Sequence, residues 1–80
     1  MARIHRVRQD DTIRVTLSGR LSAADMGRLE HACAPALVMH PMALEIDLRS
    51  VTSIDRSAAA ILERMAERGA RIISDRPAQA

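Results

Sequence analysis

Apolar and polar residues alternate through Thr12-Ile13-Arg14-Val15-Thr16-Leu17, putting Ile13, Val15 and Leu17 on one face, the pattern of a half-buried strand. Ile4 to Gln9 reads as a weaker strand, and Asp10-Asp11 between the two tolerates the geometry of a hairpin turn. A helix start follows Ser18-Gly19-Arg20. Ser22 is placed as N-cap, Asp25 three residues later as the acid of a capping box, and Leu21 as a staple onto Met26. Met26, Leu29 and Cys33 form the apolar stripe of this helix, with Arg28, Glu30 and His31 outside it, and Pro35 is expected to end or kink it.

His40-Pro41 reads as a loop. Leu44, Ile46 and Leu48 alternate again within Ala43 to Leu48, a second clear strand. From Ser57 to Arg68 a helix places Ala58, Ile61, Leu62 and Met65 on one stripe and Glu63, Arg64, Glu67 and Arg68 on the wet face, and Gly69 follows as its C-terminal glycine. Ala70 to Ser74 reads as a short fourth strand, and Asp75 to Ala80 as a tail, frayed over 76–80. The order hairpin, helix, strand, helix, strand predicts a single α/β domain over 1–80. Its mixed four-stranded sheet should carry helices mainly on one face, and the unit from Leu44 to Ile73 should be a right-handed parallel crossover. Glu45 and Asp47, alternating with apolar neighbours, are expected on a solvated sheet face.

Composition narrows the function. With 80 residues there is room for one core only, and without Phe, Tyr or Trp that core is aliphatic and offers no aromatic platform for stacking bases. All 12 basic residues are Arg, but 10 acids are interspersed and the formal net charge is +2, which points away from nucleic acid. Cys33 is the one cysteine and permits no internal disulfide, as expected of a cytoplasmic protein. The longest apolar stretch, Ala32 to Met39, is too short to insert in a membrane.

Candidate chemistry is sparse. Asp47 and Asp55 lie near the C-terminal side of the second clear strand, but no third group completes an acid–base mechanism, and Asp55 reads equally as a cap. His5, His31, Cys33 and His40 match no metal-ligand spacing, and Gly19, Gly27 and Gly69 are isolated, so there is no phosphate-cradling loop. The expectation is a non-enzymatic protein without cofactor or metal. The informative segment is Ile54-Asp55-Arg56-Ser57-Ala58, where a strand exit meets a helix start and Asp55 or Ser57 is available to cap it.

The stretch from Leu44-Glu45-Ile46-Asp47-Leu48 through Val51 to Ile54-Asp55-Arg56-Ser57-Ala58 resembles the central motif of STAS domains, the family of bacterial anti-sigma factor antagonists. In that motif an apolar strand ends in Asp-Leu, a Val follows, and Ile-Asp-Ser-Ser-Gly opens a helix. Val15-Thr16-Leu17-Ser18-Gly19-Arg20-Leu21 is similar to the family's earlier strand leading into Gly-x-Leu. The resemblance spans about Thr12 to Ser74. It implies a regulatory binding protein whose partner is both anti-sigma factor and serine kinase, with Ser57 as phosphate acceptor and Asp55, Arg56, Ser57 and Ala58 as the docking rim. STAS domains also serve as small cytoplasmic subunits docked on the ATPase of lipid-transporting ABC systems, and the resemblance admits that role as the alternative.

Arg56 stands where the motif has a small hydroxyl residue, and Ala58 where it has glycine. The fourth predicted strand is the last, whereas family members usually continue into another helix. The resemblance therefore implies uncovered apolar surface on the sheet or on the Ile61 and Met65 flank, and with it a homodimer.

Overall fold

The computed structural model describes residues 2–39 and 43–74. The His40-Pro41 loop and the 76–80 tail lie outside the described residues. Strand β1 (Arg3–Gln9) and strand β2 (Thr12–Leu21) form the expected hairpin, with Gln9 opposite Thr12 and the turn made by Asp10-Asp11. Asp10 takes a left-handed φ of 54°, which Asp tolerates better than most side chains because its short carboxylate can bond locally.

β2 runs on to Leu21. It passes through two register shifts against its neighbour, between Thr16 and Ser18 and between Gly19 and Arg20, and Gly19 supplies the φ of 86° needed there.

After a single 3-10 turn (Ala23–Asp25), helix α1 occupies Met26–Met39. Ser22 and Asp25 are joined as predicted: the Ser22 backbone N–H and hydroxyl both donate to Asp25 Oδ2, at 3.0 and 3.1 Å. Arg28 Nη2 donates to Asp25 Oδ1 at 2.7 Å and to the carbonyl of Ala2 at 2.9 Å, which ties the start of α1 to the beginning of the chain. Pro35 does not end the helix, which continues to Met39. Proline there has no N–H to give to the His31 carbonyl, so one intrahelical bond is forgone, and the backbone nevertheless stays helical for four more residues.

Strand β3 (Leu44–Ile54) is longer than the alternation predicts, because its second half pairs with the far end of β2, from Ser18–Ser50 to Leu21–Ile54. Helix α2 (Arg56–Glu67) begins one residue before the predicted start. Gly69, with φ 115°, follows Arg68 as the expected C-terminal glycine, and strand β4 (Arg71–Ile73) is the last element among the described residues. The strand order is β1-β2-β3-β4, with β1–β2 antiparallel and β2–β3 and β3–β4 parallel. The architecture is the mixed four-stranded α/β sheet the pattern predicts.

Val15, Leu17, Leu44 and Ile46 from one sheet face join Met26, Leu29 and Cys33 of α1 and Ala58, Leu62 and Met65 of α2 in one buried cluster. Met65 is only 4% exposed and Ile61 packs against the cluster, so the apolar helix flank that suggested self-association is covered. The opposite face is polar. Register aligns Val7, Arg14, Glu45 and Arg71 across all four strands, and Glu45 takes Arg14 Nε and Nη2 at 3.1 and 3.0 Å on one oxygen, with Arg71 3.9 Å from the other.

Asp47, on that face, is not solvated: it is 6% exposed. Its carboxylate accepts from the Arg49 backbone N–H at 3.0 Å, Arg49 Nε at 3.1 Å and Arg49 Nη2 at 2.8 Å. The Arg49 side chain and then its N–H hold the Asp47 carboxyl well below the usual range, at about 2.

Candidate functional site

The candidate site is the junction where β3 gives way to α2. β2 and β3 are parallel and end side by side at Leu21 and Ile54, so the helices that follow them start from the same edge of the sheet. The Asp55 N–H donates to the Leu21 carbonyl at 3.1 Å, carrying the pairing one residue past the strand. Outside the carboxyl ends of parallel strands is where open α/β sheets place their sites.

Asp55 is the N-cap of α2. Its Oδ1 accepts from the Ala58 N–H at 2.8 Å, and its Oδ2 accepts from the Ala23 N–H at 3.0 Å, in the turn that opens α1. One carboxylate thus satisfies a first-turn donor of each helix and fixes the two starts relative to each other. The capping role is legible in the sequence. The bond to Ala23 is not, since it joins residues 32 positions apart.

Arg56 and Ser57 follow as the first two residues of α2, both exposed. No acid lies in that first turn itself; the Asp55 carboxylate at the N-cap is the one negative group at the helix start beside Ser57. Ala58 differs from the other three predicted rim residues. It is 0% exposed, and its methyl packs into the core cluster, so its effect on any docking surface is to set how closely α2 lies on the sheet.

The structure adds residues beyond the four of the predicted docking rim. Thr52, Ser53 and Ile54 at the end of β3 are exposed, and Ile54, at 37%, is one of two large apolar side chains left in solvent among the described residues. The alternation of β3 ends at Leu48, so nothing in the local pattern marks Ile54 as an exposed strand residue. The junction is therefore a small mixed surface of one apolar side chain, hydroxyls, one guanidinium and the capping carboxylate.

The remaining candidate groups do not gather here. Asp47 lies in mid-β3, committed to Arg49. Cys33 is buried in α1, and burial pushes its thiol up to about 11, which leaves it a small apolar core group at neutral pH. Among the described residues no three His, Cys, Asp or Glu side chains cluster to hold a metal ion, and no helix is long and apolar enough to cross a membrane.

Comparison with known proteins agrees with this geometry. An anti-sigma factor antagonist from Mycobacterium paratuberculosis superposes with a TM-score of 0.79 at 24% identity, over 99% of this chain and 72% of that one. The anti-sigma factor antagonist SpoIIAA in its unphosphorylated form gives a TM-score of 0.67 at 18% identity, over 96% of this chain and 76% of that one. A Shewanella loihica protein with a SpoIIAA-like fold gives 0.60 at 16% identity, over 95% and 68%. Among curated proteins no sequence matches. At these identities the structural likeness establishes the fold, and the sequence establishes the family: the profile described as "Mlab, STAS domain" matches residues 4–79, nearly the whole chain, which therefore belongs to the STAS domain family.

Proposed function

We propose that this chain is a non-enzymatic docking protein that binds a protein partner through the β3–α2 junction, and that phosphorylation of Ser57 by a kinase that is itself an anti-sigma factor releases it. The observation that carries the reading is the exposed Ser57 hydroxyl in the acid-free first turn of α2. A phosphate there adds a charge of about −1.5 to −2 at pH 7 at the positive end of a helix, so the fold tolerates it while the docking surface turns negative. Ile54 supplies the apolar contact, and Arg56 and the hydroxyls of Thr52 and Ser53 supply the rim. Asp55 contributes indirectly, by holding α2 against α1.

Arg56 favours a second reading. An exposed guanidinium next to the acceptor pairs with a phosphate and blunts the switch, and it suits a surface docked permanently, as on the ATPase of an ABC-type lipid transport system.

The test is affinity capture from a cell lysate with wild type, Ser57→Asp and Ser57→Ala, followed by mass spectrometry and then by incubating the captured complex with ATP. An anti-sigma kinase that is held by wild type and Ser57→Ala, lost with Ser57→Asp, and able to phosphorylate wild type but not Ser57→Ala supports the switch. An ABC ATPase held equally by all three supports the second reading and removes Ser57 from the mechanism.

A further inference from the structure

The net positive charge of this chain is concentrated on one strand. β1 holds three of the 12 arginines, Arg3, Arg6 and Arg8, together with His5, and none of the 10 acids; the rest of the chain sets nine arginines against ten acids. Elsewhere on the sheet three of the four arginines are neutralised, Arg14 and Arg71 by Glu45 and Arg49 by Asp47, leaving Arg20 at the far end of β2. Among the described residues no carboxylate pairs with Arg3, Arg6 or Arg8, and the one protein acceptor they find is the Ala32 carbonyl, 3.5 Å from Arg6 Nη1.

β1 is also an edge. Among the described residues it pairs with β2 alone, over seven residues without proline or bulge, and all of its side chains but Ile4 are exposed. The register splits its cations between the two sheet faces: Arg6 and Arg8 share the face of Val15 and Ile13, whereas Arg3 and His5 share that of Ser18 and Thr16. A chain adding to this edge meets positive charge on both sides.

From the coincidence of a long free edge with unneutralised arginines, we propose that β1 is a second docking site, which takes an extended acidic segment of another protein as a fifth strand. Main-chain hydrogen bonds to the edge give affinity, and carboxylates opposite Arg3, Arg6 and Arg8 give selectivity and register. The occupant is not a second copy of this chain, because β1 against β1 stacks arginine on arginine, and β4, the other edge, offers Arg71 and no acid. Asp10 and Asp11 in the adjoining turn repel carboxylates from that end, so the acids of the incoming strand belong opposite the span from Arg3 to Arg8.

The probe is a seven-residue capped peptide whose glutamates follow the spacing of Arg3, Arg6 and Arg8, so that they fall on both strand faces, with Val or Thr elsewhere, titrated into the full chain labelled with nitrogen-15. Saturable binding is expected, with amide shifts confined to β1 and its neighbours in β2. It should weaken about ten-fold or more in the Arg3→Gln/Arg6→Gln/Arg8→Gln variant, as for the loss of complementary rim charges. It should vanish when the peptide is N-methylated throughout. Ser57→Asp leaves this binding unchanged, so its outcome is separate from that of the junction. If the triple variant is unfolded by circular dichroism, Arg3→Gln and Arg8→Gln singly, with a salt titration of wild type, carry the same comparison.

Shifts mapping to the start of α2, equal binding of the N-methylated or a lysine-substituted peptide, or no saturation by about 1 mM, the weak end of recognition, overturn the proposal. So does equal binding at β1 by a single-stranded oligonucleotide of the same charge, which would make the strand a general polyanion patch.

Discussion

Replacing Asp55 by alanine removes one carboxylate and two hydrogen bonds, from Ala58 N–H at 2.8 Å and from Ala23 N–H at 3.0 Å, while leaving the backbone bond from Asp55 N–H to Leu21 in place. Loss of an N-cap side chain costs about 1 kcal/mol, and a second charge-assisted bond adds a similar amount once its exposure to water is discounted, so about 2 kcal/mol is expected. For a domain of this size that is a large share of a total of roughly 4–12 kcal/mol, and it corresponds to a fall in Tm of about 8–16 °C. The chain has no aromatic residue, so intrinsic fluorescence is not a probe, and urea unfolding is followed by far-ultraviolet circular dichroism. Asp55→Asn separates the two bonds. Asparagine caps a helix as well as aspartate does but offers one acceptor oxygen instead of two, so it should recover about half of the loss. A cost below about 0.5 kcal/mol for Asp55→Ala, the range of an unremarkable surface substitution, would refute the reasoning that this carboxylate joins the two helix starts.

Two further outcomes test the rest of the fold. The Asp47 carboxyl, held at about 2 in the folded chain against 3.8 ordinarily, contributes stability that is complete above about pH 4 and is lost as pH falls toward 2; about 2 kcal/mol is at stake, less whatever solvent screening the half-exposed Arg49 allows, and urea midpoints measured from pH 5 to pH 2 should fall less steeply for Asp47→Asn than for wild type. Pro35→Ala returns the missing intrahelical N–H to α1 and should raise stability by roughly 1–3 kcal/mol in the same urea assay.

Most of the fold was legible because its determinants are local. Alternation at Ile13, Val15 and Leu17 and at Leu44 and Ile46, the two helix stripes, the Ser22–Asp25 pair and Gly69 are each read within one element, and each lies where the pattern predicts. The misreadings share a different physics. Pro35 sits inside α1, where the loss of one hydrogen bond does not end a helix already anchored by Met26, Leu29 and Cys33. β3 continues through Thr52 and Ser53 because β2 is there to pair with it, which no property of those residues announces. Asp47 is buried because Arg49, two positions on, folds back over it from an exposed position. The Ile61 and Met65 flank, one of the two surfaces expected to lie open, proves to be packed. In every case a partner distant in sequence or a rotamer choice decided the outcome.

The same distinction bears on the junction. From the sequence, Asp55 is part of the docking rim and a source of negative charge, whereas both of its oxygens are taken by backbone donors of α1 and α2. Its oxygens serve helix starts, but Asp55 is exposed like Arg56, so on the proposed reading a partner meets a carboxylate and a guanidinium side by side, and a phosphate on Ser57 would tip that balance to negative. It follows that Ser57 and Asp55 variants should separate cleanly on the proposed reading: Ser57→Asp alters binding with the unfolding midpoint nearly unchanged, and Asp55→Asn lowers the midpoint while the protein that remains folded still binds. Were Asp55→Asn to abolish binding without loss of stability, the carboxylate would act on the partner instead of the helix starts, and the two bonds that tie it to them would not describe the chain in solution.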